Sequence, residues 1–415
     1  MTLLLCYSII YRNNQGVIMK YIILILSFCV STIFANADSA MVYLTWQHDP
    51  ATTMTIQWLT TDKNLESTLY YQEKETMSAK WIQASGTHKA LPENQPYVVH
   101  SVEVQNLRPD SIYRFHFGDQ KKQFAFRTMP TKLDKPIRFI VGGDIYEDDI
   151  KRFRQMNKTA AKVNPRIAII GGDIAYATPK SKKKKAEDFD KWKEFFECWT
   201  QEMKDSDGCL IPIFAAIGNH EVRGRYDQSK DDAPFFYAFF GRGYHDFGFG
   251  NYLHFTFLNS GHTHPVEGKQ TTWLESVLKT HTHFLHRFAV YHVCAYPTTG
   301  KYDHPVRKMV RQHWVPLFEK YKLDACFEHH DHAYKRTHPL LKDKSHPQGV
   351  VYFGDGAWGV APRKVKKAPY LAHAASVQHV LVVELSQNGR KYWAIDPNGK
   401  TIDQYEQRIA LKPST

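Results

Sequence analysis

Seven apolar runs between residues 137 and 356 constrain this chain more than any other feature. They are Ile137–Asp144 (IRFIVGGD), Arg166–Asp173 (RIAIIGGD), Ile211–Glu221 (IPIFAAIGNHE), Tyr252–Ser260 (YLHFTFLNS), His286–Val293 (HRFAVYHV), Asp324–His332 (DACFEHHDH) and Gly349–Gly356 (GVVYFGDG). Each carries Gly, Asp, Asn or His at or beside its carboxyl end. Short apolar runs of this kind read as strands. The intervening segments predict helices over Asp149–Val163, Glu187–Met203, Gln270–Thr280 and Val306–Tyr321. Strand alternating with helix is the signature of an α/β domain, and polar residues past the strand ends are where open α/β sheets place their sites.

The chain before this region reads differently. From Met41 to Arg127 the segments VYLTW, MTIQWL, STLYYQ, YVVHSVEV, SIYRFHF and QFAFRT are short, aromatic or β-branched, and separated by polar turns. Leu107-Arg108-Pro109 followed by Tyr113 resembles a tyrosine corner, in which the phenol ties a strand to the preceding loop. The expectation is an N-terminal all-β sandwich of fibronectin type III kind over residues 38–130, serving as a packing module. A linker, Thr128 to Pro136, leads to an α/β domain over 136–415.

Residues 1–37 read as an N-terminal extension and export signal. Lys20 precedes the apolar run Tyr21–Val30, and Ala35-Asn36-Ala37 offers a small-x-small cleavage site. Met19 stands where such a signal would start, and an uncleaved anchor is the alternative. Export implies a secreted or periplasmic protein that meets membrane only during export. It also permits disulfides among Cys198, Cys209, Cys294 and Cys326. A bridge between Cys198 and Cys209 closing the polar stretch Lys204–Gly208 is one possibility, and Cys294 and Cys326 are left open. A net charge of +12 favours anionic partners without choosing among them. No nucleic-acid-reading motif is present, so no dedicated nucleic-acid partner is expected. The run Lys182–Lys185 reads as a solvated loop.

Taken in order, the polar strand ends are Asp144, Asp173 and Tyr176, Asn219 and His220, His292, then His330 and His332. Alone, each is a turn residue or a core histidine. Together they are two carboxylates, a phenol, an amide and imidazoles, which is the chemistry two adjacent cations need. A carboxylate bridges two cations and offsets their repulsion, imidazole suits iron, zinc and manganese, and phenolate suits a trivalent ion. A pair of such ions clamps the attacking and leaving oxygens of an in-line displacement and acidifies water. No GxSxG motif offers a competing nucleophile.

The series GD, GDxxY, GNHE, xxxH and HxH downstream of a fibronectin-like domain resembles the purple acid phosphatases, within the metallophosphoesterases. The resemblance runs from Asp38 to the C-terminus and is most specific at GGDIAY. LTWQHDPATTMTIQW and HAYKR add to it. It implies a metallophosphoesterase αββα sandwich hydrolysing phosphate monoesters by in-line attack of a metal-bound hydroxide. It further implies that Asp144, Asp173, Tyr176 and His332 hold iron(III), with Asp173 bridging. Asn219, His292 and His330 then complete a second site for iron(II), zinc or manganese, and His220 contacts the substrate phosphate. Glu221 either positions His220 or caps the segment that follows.

Several residues depart from the family pattern. Tyr146 stands where a second glycine is common and is expected to narrow the pocket. Ala289 is a mild strand substitution. His329 replaces a usual glycine and is expected to crowd the backbone, while Asp331 offers a partner to orient a histidine. Plant-type enzymes carry paired substrate histidines after the fourth motif, and CAYPTTGKYDHP leaves only His304. The loop NSGHTHP adds His262 and His264, either as leaving-group acids or as solvent-exposed residues. GDGAWGV around Asp355 is expected to shape the rim, with Trp358 in the core. Two rival functions stand beside the monoesterase: a phosphodiesterase on nucleotides or lipid head groups, and a non-catalytic surface-binding protein.

Overall fold

The computed structural model describes residues 5–13, 16–24, 41–62, 66–75, 80–118, 122–178, 186–354 and 356–409. The chain divides into two units, Met1–Ser39 and Ala40–Thr415. In the first, strands Leu5–Asn13 and Gly16–Leu24 pair as an antiparallel hairpin. The second strand takes in the start of the apolar run at Tyr21. The rest of that run, the site at Ala35–Ala37, the lysine run Lys182–Lys185 and Asp355 lie outside the described residues. Among the described residues, no helix is long and apolar enough to cross a membrane.

The larger unit opens with two four-stranded antiparallel sheets. One runs Met41–Thr45, Met54–Thr60, Val98–Val104, Thr87–Ala90, and the other Phe124–Arg127, Ile112–Phe117, Thr68–Glu73, Ile82–Ser85. Alternate side chains point into the sandwich, as the period of two requires. Trp58 lies stacked between His100 and Phe117, at ring separations of 4.8 and 4.6 Å. The tyrosine corner forms as read: the Arg108 amide donates to the Tyr113 hydroxyl at 2.8 Å. The edge strand Met41–Thr45 is covered by helix Phe189–Glu202 of the α/β part. There Thr200 Oγ1 sits 2.8 Å from Val42 N and 2.9 Å from its carbonyl oxygen, and Tyr43 stacks on Phe196 at 4.6 Å.

Two larger sheets face each other beyond residue 137. The first runs Ile213–Ala215, Ala168–Ile170, Ile137–Gly142, Val380–Ser386, Gly389–Ile395, Thr401–Arg408. The second runs His245–Phe249, Leu253–Phe257, His286–Val293, Ala325–His329, Val351–Gly354, Tyr334–Thr337, Leu371–Ala375. Phe139 on the first meets Phe255, Phe288 and Phe327 on the second, with rings 5.1 to 6.0 Å apart, so the core between the sheets is largely aromatic. Helices Ile150–Ala161 and Phe189–Glu202 cover the outer face of the first sheet. Lys269–Thr280, Pro305–His313 and Val315–Lys320 cover that of the second. This is the αββα sandwich, and it explains the unbroken apolar runs: the central strands are buried on both faces.

Local differences from the sequence reading have physical causes. The segment expected as one helix over Val306–Tyr321 breaks at Trp314, because Pro316 lacks an amide proton and would collide with the carbonyl four residues back. The last three strands of the first sheet were not read. The Cys198–Cys209 bridge does not form; all four cysteines in the described region are buried free thiols. Cys198 faces the helix-side core, and the Lys204–Gly208 stretch is closed instead by Asp205, whose Oδ1 accepts from Asp207 N and Cys209 N at 2.9 Å each.

Candidate metal centre

The parallel strands of both sheets deliver their carboxyl ends to one edge, and the seven residues read as ligands gather there. Asp144 follows Ile137–Gly142, and Asp173 and Tyr176 follow Ala168–Ile170. Asn219 opens the turn Asn219–Glu221 after Ile213–Ala215. His292 lies within His286–Val293, and His330 and His332 follow Ala325–His329. Asp144, Asp173, Tyr176, His330 and His332 all have positive φ, from 50° to 79°. L-residues rarely adopt this conformation, which costs about 1–2 kcal/mol each, and such strain collects at functional sites.

Two groups of donor atoms result. In one, Asp144 Oδ1 lies 2.9 Å from the Tyr176 hydroxyl and 2.9 Å from His332 Nε2, with the phenol oxygen 3.1 Å from that nitrogen. In the other, His292 Nε2 lies 3.2 Å from Asp173 Oδ2, 3.1 Å from Asn219 Oδ1 and 3.2 Å from His330 Nδ1. His292 Nδ1 faces the Gly171 carbonyl at 2.9 Å and so carries one ring proton, and Nε2 presents a lone pair that a second proton or a cation fills. That lone pair then faces a carboxylate oxygen, an amide oxygen and another imidazole nitrogen. Acceptors converge in this way only around a cation or a proton. Burial alone would lower the His292 pKa, yet the Asp173 and Asp144 charges raise it to about 9. The donors therefore fit a metal ion, with hard carboxylate and phenol on one side and softer imidazole and amide on the other. Gly356, at φ +74°, is needed here because a Cβ would fall 1.8 Å from Asp144 Oδ2.

Glu221 does not position the His220 ring; its carboxylate caps the turn Asn219–Glu221 at the Gly218 amide. It is fully buried and accepts from Asp173 N (2.8 Å), Ile174 N (2.7 Å) and Gly218 N (2.8 Å), clamping two ligand loops together. His220 donates its amide to Asp173 Oδ1 at 2.7 Å and stacks its ring on Tyr176 at 4.2 Å. Burial lowers its pKa, opposed by the Asp173 charge.

The other candidates fare unevenly. His262 is fully buried, not solvent-exposed. Its Nδ1 lies 3.0 Å from the Arg225 carbonyl, its Nε2 3.1 Å from Ser260 Oγ, and burial pushes its pKa down to about 3. His264 turns to Thr263, Asn259 and the edge of Tyr244, none of them residues of the two donor groups. His304 is exposed and lies 6.2 Å, ring to ring, from Tyr226, which in turn stacks on His262. Tyr146 does not narrow the pocket: it is buried, donates to Glu194 and packs on Phe153. His329 does not crowd the backbone, because Gly143 and Gly171 leave the space its ring fills. Neither of its nitrogens has a partner among the described residues. Asp331 orients no histidine. It accepts from Arg307 and from the amides of Thr298 (2.7 Å) and Thr299 (3.0 Å), holding the loop beyond His292. Trp358 is core, donating to Asn157 at 2.9 Å. Arg363 escaped the sequence reading. Its guanidinium reaches His332 Nε2 at 3.4 Å and the His330 carbonyl at 3.2 Å, and only the basic segment Arg363–Lys367 hinted at it.

Residues 137–334 match the family described as calcineurin-like phosphoesterase, and residues 40–128 match the purple acid phosphatase N-terminal domain. Fold and sequence together make this chain a metallophosphoesterase, a phosphoric ester hydrolase. Within that class the chain is similar to the purple acid phosphatases. It is 23% identical to purple acid phosphatase 21 of Arabidopsis thaliana, over 73% of this chain and 68% of that one. It is 24% identical to probable purple acid phosphatase 20 of the same plant, over 85% and 83%. Its fold matches the solved purple acid phosphatase PPD1 from yellow lupin seeds with a TM-score of 0.70 at 14% identity, covering 89% of this chain and 73% of that one.

Proposed function

We propose that this protein hydrolyses phosphate monoesters at a dinuclear centre, with iron(III) held by Asp144, Tyr176, His332 and a bridging Asp173. Iron(II), zinc or manganese is held by Asn219, His292, His330 and the same bridge. The observation that carries the proposal is the convergence of Asp173, Asn219 and His330 on His292 Nε2. Two bound cations would supply acidified water and neutralise charge on the phosphoryl oxygens. The chain's own residues do the rest. Glu221 holds the Asp173 and Asn219 loops in register. His220, stacked on Tyr176, donates a hydrogen bond to the substrate phosphate, and the exposed fork of Arg363 binds a second phosphate oxygen. His304 protonates the leaving oxygen, since His262 has both nitrogens engaged and His264 turns away. The sandwich packs against the catalytic part without entering the chemistry, and residues 1–37 are removed on export.

Asp173→Ala is the direct test. It should lose turnover of an aryl phosphate together with at least one metal equivalent by elemental analysis. Near-full activity with both metals bound would overturn the dinuclear reading. Comparable turnover of the matching aryl diester would replace the monoesterase with a phosphodiesterase. An exported protein whose mass still includes Tyr21–Val30 would refute cleavage near Asp38.

A further inference from the structure

A second group of metal-binding side chains lies apart from the catalytic centre. His245–Phe249 and Leu253–Phe257 form an antiparallel hairpin at the edge of the seven-stranded sheet. Asp246 pairs with Thr256 and Gly248 with His254, so Asp246 and His254 are diagonal neighbours on one face. His281 reaches them from the end of helix Lys269–Thr280, held there by its amide bond to the Val277 carbonyl at 3.0 Å. Asp246 Oδ2 lies 3.0 Å from His254 Nε2 and 3.4 Å from His281 Nε2. One atom from each of the three lies within 4.8 Å of the others. Phe284, 5.1 Å from the His254 ring, closes one side, seated where Gly248 has no side chain to obstruct it.

We propose that Asp246, His254 and His281 form a binding site for a zinc-class divalent cation, with its fourth position open to solvent. The ligand chemistry is one carboxylate and two imidazoles. Zinc bonds of about 2.0–2.1 Å in a tetrahedron imply ligand-to-ligand edges of about 3.3–3.4 Å, which the two measured distances bracket.

The position says what the ion does. His254 is the second residue of its strand, and His281 precedes His286–Val293, so the group sits at the amino ends of the parallel strands. The catalytic donors lie past the carboxyl ends, at the opposite edge. A cation held there ties the edge hairpin to the loop that feeds the strand bearing His292.

The test is zinc stoichiometry on the full chain, stripped with chelator and then equilibrated with zinc, for wild type, His281→Ala and Asp246→Asn. Wild type should bind one equivalent more than either variant and show a zinc-dependent rise in melting temperature that exceeds theirs. Turnover at saturating metal should be unchanged in both variants. Asp246→Asn keeps side-chain size, so the comparison survives if His281→Ala fails to fold. Equal stoichiometry and equal melting shifts in all three proteins would reduce the group to a hydrogen-bonded triad and overturn the proposal. The readout is independent of the phosphatase reading, because the variants leave every catalytic donor in place.

Discussion

Tyr176 shows how much a single side chain settles. Burial, reinforced by the Asp144 carboxylate, pushes its phenol well above the ordinary range, so it ionises only against a strong local cation. The purified, iron-loaded, oxidised protein should therefore be coloured by phenolate-to-iron charge transfer. Tyr176→Phe should keep its fold and lose the visible band. A colourless wild type with full iron occupancy would sink the phenolate assignment while leaving the hydrolase. His304 makes a different prediction. Burial and Arg307 hold its pKa below the ordinary value, so as a leaving-group acid it is lost as pH rises through that value. His304→Ala should cost about 10²-fold or more on alkyl phosphates. The cost should be smaller on an aryl phosphate, whose leaving group needs little protonation, and the alkaline limb of the pH–rate profile should flatten. Equal losses on both substrates, with an unmoved profile, would remove it from that role.

At the scale of the element, the ligand loops depend on one buried carboxylate. Glu221 takes three amide hydrogen bonds from loops following two different strands, while burial and the adjacent Asp173 push its pKa up to about 8. Glu221→Gln keeps the shape but turns an NH₂ toward at least one amide donor. An unsatisfied buried group costs about 1–3 kcal/mol. The variant should melt lower and bind the second metal more weakly, and calorimetric metal titration beside a thermal melt reads both. A variant with wild-type affinity and melting would mean that the loops hold without the clamp. The same element shows the limits of the sequence. GNHE flagged Asn219 and His220 by pattern, but nothing in it showed Glu221 turning inward to residues 47 and 48 positions away.

Across the whole molecule, buried and half-buried histidines couple stability to pH. His245, His286 and His379 are desolvated, which lowers their pKa values to about 4, 3 and 4. Each is neutral in the folded state and protonated in the unfolded chain below about pH 6.5. The unfolded state thus binds more protons between about pH 3–4 and 6.5. Stability rises with pH through that window and falls on acidification, by up to about 1.4 kcal/mol per pH unit for each group. His245 lies against Phe257 at 4.7 Å with its Nδ1 unpartnered among the described residues, so His245→Phe should flatten the acid-side fall by one proton. Thermal melts from pH 7 to 4 on both proteins check this, and parallel curves would refute it.

The apolar strands that carry the site and the identities of the polar residues closing them were legible in the chain, because a strand buried on both faces must be apolar throughout and its end is where polarity returns. The tyrosine corner was legible for a similar reason: donor and acceptor lie five residues apart, within one loop. Other features depended on long-range contact. The antiparallel strand Val380–Ser386 joins the first sheet by pairing with Ile137–Gly142, more than 200 residues earlier, and Gly389–Ile395 and Thr401–Arg408 extend the sheet from it. His329 looked obstructive until Gly143 and Gly171, on other strands, were found to make its space. His262 looked like a loop residue until Ser260, Arg225 and Tyr226 enclosed it. Local sequence determines which residues a strand end presents; only tertiary packing decides which of them face one another, because burial, strain and lone-pair convergence belong to neighbours in space.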